Sequence, residues 1–164
     1  MSEVSEGRSA CHFEGGRVSL IFPAAGRRRG GVYRRAAMGM EEIYGQLIVQ
    51  AGGPVGVVSL RGEHDHVSKS QLEGIVETLL DDPSTRAVIV DLSDTDFVNL
   101  PVVGALARAT ERANGRDKQF IVILPEAGRS IVRRLFELIE ADTLLRVVPS
   151  MEEALATARG EAGA

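Results

Sequence analysis

The chain has 164 residues, of which 44% are hydrophobic and 26% charged, and its formal net charge is −4. Such a chain is typical of one soluble domain with a hydrophobic core. No apolar run approaches the roughly 18 residues of a membrane span. An aromatic content of 4% without tryptophan argues against the stacking platforms of single-strand nucleic-acid binders. The single cysteine, Cys11, excludes an intramolecular disulfide and a cysteine-based zinc cage, and it favours a reducing, cytoplasmic location.

The N-terminal part differs in charge from the rest of the chain. Residues 1–38 contain seven arginines and three glutamates, whereas the remaining residues carry a net charge of −8. Arginine runs without a helical or strand period predict a disordered extension over residues 1–40, which we expect to be dispensable for folding. The arginines could bind nucleic acid or anionic lipid, but a flexible tail, or a start site at Met38 or Met40, is the simpler interpretation.

The folded domain is predicted to span residues 41–160, with a short disordered tail at 161–164. Strand-like runs at 46–49 and 55–60 are joined through Gly52-Gly53, which suits a tight hairpin. The Ser-x-x-Gln pattern that starts at Ser68 predicts a capping box, so a helix should begin there. Its apolar stripe starts at Leu72, and Pro83 follows its end.

The rest of the domain alternates strands with helices. Residues 87–92 form an apolar, β-branched run that is typical of a buried parallel strand. Further elements are predicted for residues 101–114 (helix), 120–124 (strand), 131–139 (helix), 144–148 (strand) and 151–158 (helix capped by Ser150). The order ββαβαβαβα predicts an α/β domain in which a mixed sheet packs with about four helices.

No constellation of catalytic residues is evident. The triplet His64-Asp65-His66 suggests a metal site, but the remaining histidine, His12, lies in the predicted extension, and a polar loop is the simpler interpretation. The serines lack a paired histidine at a readable spacing, and no phosphate-binding glycine loop is present. We therefore expect no metal, no cofactor and no enzymatic activity.

Several short motifs resemble a known family. They are LRGEHD after the second strand, VIVDL in the third, FVN before a helix that contains Gly104, and RRLFEL in the third helix. Together with the order of elements, they resemble the STAS domain of bacterial anti-sigma factor antagonists, over about residues 44–157.

This resemblance implies a STAS fold and a role in partner switching for transcription regulation. Members bind an anti-sigma factor, often a serine kinase, and so release a sigma factor. The usual switch is phosphorylation of a serine in an Asp-Ser-Ser-Gly segment at the start of the second helix. Here the matching segment reads Asn99-Leu100-Pro101-Val102, and Leu100 replaces the phosphoacceptor.

The local structure around Leu100 should be preserved without the hydroxyl. Asn99 is suited to cap the helix, and Pro101 suits the first turn, where its missing N–H is no loss. Leu100 either packs as a purely structural residue or is exposed as an apolar contact for a partner.

The predicted partner is an anti-sigma factor of the serine-kinase type, which would be bound without phosphorylation at the usual position. No direct DNA binding by the folded domain and no membrane association are expected, and the sequence does not indicate an oligomeric state. An alternative is a small-ligand or nucleotide-sensing module, or a scaffold. The predicted partner-binding residues are Glu63, Asp65, His66, Ser68, Asn99, Leu100, Pro101, Val103, Arg108 and Arg112.

Two other hydroxyl groups lie close to the predicted surface. Ser93 and Thr95 follow the third strand, and a related position carries a phosphothreonine in stressosome-type STAS proteins, which makes both candidates for phosphorylation. Neighbouring aspartates would repel an added phosphate, so a solvated acidic loop is the simpler interpretation.

Overall fold

The computed structural model describes residues 10–14, 17–23, 46–51, 53–128 and 130–160. Seven strands form one sheet, and their order in the sheet is their order in the chain. The strands are β1 (Ala10–Glu14), β2 (Arg17–Pro23), β3 (Gln46–Ala51), β4 (Val55–His64), β5 (Ala87–Val98), β6 (Gln119–Ile123) and β7 (Arg146–Val148).

Four helices follow strands β4 to β7. They are α1 (His66–Asp81), α2 (Leu100–Gly115), α3 (Ile131–Leu138) and α4 (Met151–Ala158), with a 3-10 turn at Ala141–Thr143. Neighbouring strands from β1 to β4 are antiparallel, and those from β4 to β7 are parallel. The predicted α/β class and the order ββαβαβαβα are confirmed over residues 46–160. No helix in the described part of the chain is both long and apolar enough to cross a bilayer.

The N-terminal region differs in part from its prediction. Residues 1–40 were expected to lack regular structure, but β1 and β2 lie there and extend the sheet beyond β3. The strand β2 coincides with the apolar run at residues 18–22, which is long enough to pair although Pro23 ends it. The arginine runs at 27–29 and 34–35 lie outside the described residues. The division of the chain at residue 40 stays a prediction.

The two faces of the sheet are covered by different helices. Successive side chains of a strand point to opposite faces, so Val88 and Ile89 enter different cores. One core, which contains Val88, packs between the sheet and helices α1, α2 and α3. The other contains Ile89, Ile121 and Ala154, and it lies under α4. Both faces of β5 are therefore buried over residues 87–90, as the continuous apolar run predicted.

Strand β5 is longer than its sequence suggested. The predicted strand ended at Leu92, because the following Ser-Asp-Thr-Asp segment looks like a solvated loop. The structure continues β5 to Val98, and β4 runs beside it to His64, with irregular register near Arg61 and Gly62. Beyond Leu92, Thr95 and Val98 point inward and bury their side chains, and these contacts hold the polar segment in the sheet.

Candidate protein-binding site

Strands β4 and β5 end together. They are parallel, and their pairing ends with His64 opposite Val98. Helix α1 begins at His66 and α2 at Leu100, so both helix N-termini start from this edge of the sheet. We call residues 63–66 and 97–101 the carboxyl edge. Such edges are where ligands and partners of parallel α/β sheets are usually bound.

The N-terminus of α2 has the predicted cap. Asn99 is extended, with φ −92° and ψ 167°, and its Oδ1 atom accepts a hydrogen bond of 3.2 Å from the Val102 backbone N–H. Pro101 lies in the first turn, where no hydrogen bond is lost. This confirms the local structure that the sequence predicted, without a serine hydroxyl at residue 100.

An apolar patch is exposed at the carboxyl edge. The side chain of Leu100 is 59% exposed and that of Phe97 is 42% exposed, and Pro101 is also exposed. Phe97 lies opposite Glu63 in the β4–β5 pairing, which joins the two parts of the edge. The predicted list did not contain Phe97, since its strand was expected to end at Leu92. The buried residues Leu92, Thr95 and Val98 are three positions apart, so a simple alternation along β5 did not indicate that Phe97 faces outward.

Two of the predicted contact residues are not on this surface. Ser68 and Val103 are buried, so a docking partner cannot reach their side chains. Ser68 was expected to cap α1, but the helix begins two residues earlier, at His66. Asp65 takes the capping position instead: its Oδ1 atom lies 3.5 Å from the Ser68 amide, and its carbonyl oxygen accepts from Lys69 N–H at 3.0 Å. An aspartate carboxylate just before a helix can accept from an amide of the first turn, as a serine hydroxyl would.

The α1 side of the carboxyl edge therefore consists of Glu63, Asp65 and His66. Glu63 and His66 are exposed, and Asp65 is half-buried. Their partner contacts stay a prediction, as do those of Asn99, Leu100 and Pro101.

The histidines of the predicted loop point in different directions. His64 is fully buried, and its Nε2 atom lies 2.9 Å from the Arg61 carbonyl oxygen, to which it donates. Its Nδ1 atom is buried and finds no partner among the described residues. His66 is exposed on α1, so the two imidazoles do not converge. Over the described residues, no group of three histidine, cysteine or acidic side chains is arranged to hold a metal ion.

The buried His64 should make stability depend on pH. Burial lowers the pKa of its imidazole, and the hydrogen bond to Arg61 and the charge of Asp65 only partly oppose this shift. The unfolded chain binds this proton below about pH 6.5, whereas the folded chain does not until a lower pH. The free energy of unfolding should therefore fall as the pH drops through about 6.5.

Chemical denaturation between about pH 7 and about pH 5 measures this effect. His64→Gln is the matched variant, because it keeps a side-chain N–H donor but does not titrate. Its free energy of unfolding should change less over this range than that of the natural chain. Equal pH slopes for the two proteins would contradict the prediction.

Ion pairs connect α1 with α2. Two arginines of α2 and Arg116, the residue directly after its end, are spaced four residues apart and face three acidic residues of α1 with the same spacing. The pairs are Arg108 with Glu73 at 2.6 Å, Arg112 with Glu77 at 3.0 Å, and Arg116 with both Glu77 at 2.5 Å and Asp81 at 2.8 Å.

This ladder includes the two arginines that were predicted to contact a partner. Arg108 and Arg112 are exposed but already paired, so a partner's carboxylate would have to displace Glu73 or Glu77. The hydrogen bond from Arg108 is the main cause that lowers the pKa of Glu73, and the bond from Arg116 does the same for Glu77. Both pairs are exposed to solvent, and the partner contacts of Arg108 and Arg112 stay a prediction.

The two candidate phosphorylation sites differ in access. Thr95 is buried, and its hydroxyl donates a 2.7 Å hydrogen bond to the Leu60 carbonyl oxygen. A kinase cannot reach it without opening β4 from β5. Ser93 is exposed and its hydroxyl donates to the Asp91 carboxylate. Phosphorylation at Ser93 stays a prediction.

An open cleft of about 550 Å³ lies beside Ser93, between β5 and the N-terminus of α3. Asp94 and Asp96 line it, with Ser130 and Ile131 on the opposite side. Two carboxylates repel the phosphates of a nucleotide. The cleft therefore gives no support to the nucleotide-sensing alternative.

A known family and several known structures match this chain. The family model described as "Mlab, STAS domain" matches residues 48–148. No curated protein sequence matches.

The similar structures include anti-sigma factor antagonists and part of an anion transporter. An anti-sigma factor antagonist from Mycobacterium paratuberculosis has a TM-score of 0.62 at 28% identity, over 72% of this chain and 97% of its own. The Bacillus anti-sigma factor antagonist SpoIIAA, in its unphosphorylated form, has a TM-score of 0.59 at 19% identity, over 70% and 96%. The murine anion transporter Slc26a9 has a TM-score of 0.50 at 20% identity, over 66% of this chain and 18% of the transporter. At identities below 25%, the likeness shows a shared fold.

Proposed function

This chain belongs to the STAS domain family, and from that premise we propose that it is an anti-sigma factor antagonist. It binds an anti-sigma factor of the serine-kinase type through the carboxyl edge, and it does so without phosphorylation at residue 100. Binding occupies the anti-sigma factor, and the sigma factor is released. A cytoplasmic setting is part of this proposal, since transcription takes place there.

One observation carries the proposal: an apolar patch is exposed where both α1 and α2 begin. Leu100 and Phe97 are large apolar side chains at a strand-to-helix edge, where solvation would favour polar residues. Burying them against a partner contributes roughly 25 cal/mol per Å² of apolar surface. The antagonist from Mycobacterium paratuberculosis, 28% identical over nearly its whole length, supports the same class of partner.

The chemistry of the α2 N-terminus supports independence from phosphorylation. Asn99, Leu100 and Pro101 contain no hydroxyl group, so the usual phosphoacceptor position cannot accept a phosphoryl group. A phosphoserine would add nearly two negative charges to this apolar surface and would oppose docking. The carboxyl edge thus keeps its docking surface in the presence of ATP.

Calorimetry with a purified anti-sigma factor of the serine-kinase type, from the same organism, tests this function. The chain should bind with an affinity that does not change when ATP and Mg²⁺ are added, and its mass should stay that of the unmodified protein. A non-hydrolysable ATP analogue is the control, because it separates nucleotide binding by the kinase from phosphoryl transfer. Release of the chain with ATP alone, or the absence of binding to any such factor, would contradict the proposal.

A further inference from the structure

Among the described strands, the last parts of β4 and β5 pair only with each other. Strand β3 pairs with β4 as far as Arg61, and β6 pairs with β5 as far as Asp91. Residues 62–64 and 95–98 therefore form a two-stranded end of the sheet, which carries Glu63 and Phe97 of the carboxyl edge. Two strands without neighbours are only marginally stable, so this end depends on the side chains that hold it.

His64 lies at the tip of the two-stranded end. It is opposite Val98, and both side chains are buried. The 2.9 Å hydrogen bond from its Nε2 atom to the Arg61 carbonyl oxygen spans the register shift between Gly62 and Glu63. Because a carbonyl oxygen only accepts, the neutral imidazole with its proton on Nε2 is the form that fits this end of the sheet.

Protonation of His64 is unfavourable in these surroundings. The charged imidazole carries an N–H group on both nitrogens, but the buried Nδ1 atom has no partner among the described residues. The added charge would also be held away from water, which costs free energy unless the charge is paired. If the two-stranded end opens, water reaches the ring and satisfies both nitrogens. Acid therefore favours the open form.

The charged groups around His64 only partly oppose this effect. They are Arg61 and Glu63 on β4, Asp94 and Asp96 on β5, and Asp65, His66 and Lys69 at the start of α1. The first turn of α2 carries no charged residue. Burial lowers the pKa of His64, and the hydrogen bond to Arg61 and the charge of Asp65 offset only part of that shift.

We propose that His64 is a pH-sensitive anchor of the carboxyl edge, and that its protonation opens the two-stranded end and so withdraws Glu63 and Phe97 from the surface that a partner binds. The inference rests on the proposed function for the identity of the partner, but not for the opening itself. A histidine in the open form has a pKa of about 6.5, so the ratio of open to closed molecules rises by up to about 25-fold between about pH 7 and about pH 5. A partner that binds only the closed form loses affinity in proportion to the closed fraction.

Amide hydrogen exchange of the full chain, followed by NMR from about pH 7 to about pH 5, measures the opening. After division by the intrinsic exchange rate at each pH, the hydrogen-bonded amides of residues 62–64 and 95–98 should show an open-to-closed ratio that rises about fivefold to 25-fold. At every pH this ratio should exceed that of residues 88–90, because those residues are paired on both sides and open only with the whole domain.

His64→Gln and His66→Gln are a matched pair of variants. His64→Gln keeps an N–H donor for the Arg61 carbonyl oxygen but does not titrate, so it should reduce the rise to less than about twofold. His66→Gln removes an exposed histidine two positions away and should keep the rise of the natural chain. If His64→Gln does not fold, the natural chain and His66→Gln still decide whether the end opens with acid and whether His66 is responsible.

Calorimetry with the purified anti-sigma factor at about pH 7 and about pH 5.5 connects the opening to binding. The natural chain should lose affinity relative to His64→Gln by about twofold to eightfold, because the open form does not bind. The partner's own dependence on pH is the same in both titrations and cancels in this ratio. Equal losses for the two proteins, with binding intact at the higher pH, would overturn the proposed control of binding and leave the proposed function standing.

Two results of the exchange experiment would overturn the anchor itself. One is an open-to-closed ratio for residues 62–64 and 95–98 that equals that of residues 88–90, because the end would then open only when the whole domain unfolds. The other is a rise that persists in His64→Gln or disappears in His66→Gln, because another group would then be responsible.

Discussion

Replacing Ile89 by alanine should lower the free energy of unfolding by about 2–5 kcal/mol. Ile89 is fully buried in the central strand β5, where it packs with Ile121 and Ala154 beneath α4. The substitution removes three buried carbon atoms and leaves a cavity that a sheet paired on both sides cannot close. The loss should therefore exceed that expected from hydrophobic transfer alone.

Urea denaturation monitored by circular dichroism measures this change. Ile89→Val removes one methylene group and should cost about 0.5–1.5 kcal/mol, which gives a graded series at one site. Leu144→Ala is the exposed control and should change the free energy by less than about 0.5 kcal/mol. An effect that small for Ile89→Ala would show that this side chain is not in the core.

Replacing Leu100 by glutamate should weaken binding to the anti-sigma factor by about 1–3 kcal/mol, or roughly 5-fold to 150-fold in the dissociation constant. The variant would bury an unpaired carboxylate against an apolar contact. It should not unfold the protein, because Leu100 is exposed and an acidic residue in the first turn of α2 interacts favourably with the helix dipole. Loss of binding and loss of folding are therefore separable.

Calorimetry with the purified anti-sigma factor measures the change in affinity. Leu144→Glu adds the same charge to another exposed leucine and should bind like the natural chain. Leu100→Met keeps an apolar side chain of similar volume and should stay within a few-fold of it. If Leu100→Glu binds as tightly as these controls, the carboxyl edge is not the interface.

The core and the order of elements were predictable because burial leaves a period in the sequence. The apolar run of β5 and the stripe that starts at Leu72 both indicated their elements. The extension of β5 was not predictable in this way, because the inward-pointing Thr95 is polar. The Leu60 carbonyl oxygen that accepts its hydrogen bond lies 35 positions earlier in the chain. The start of α1 was misplaced for a related reason: Asp65 and Ser68 are both good caps, and tertiary packing buries the serine.

The candidate site was predictable in its location and less so in its members. The cap at Asn99 follows from local chemistry, and it was confirmed. The burial of Val103 and the pairing of Arg108 depend on which face of α2 meets α1. A signal for that pairing was present, since acidic residues in α1 and arginines in and just after α2 both repeat every four residues. The sequence does not show how one helix is aligned with the other. The outward direction of Phe97 depended on the length of β5 in the same way.

The sequential order of the sheet has a consequence for how the chain folds. Neighbouring strands are also consecutive in the chain, so each strand can dock on the one made before it as the chain is synthesised. Helix α4 is the exception, because it covers the opposite face of the sheet and is made after all the other described elements. Until it docks, Ile89, Ile121 and Ile123 lie on an uncovered face of a growing sheet. A nascent chain that stalls before Met151 should therefore aggregate more readily than one in which α4 has docked.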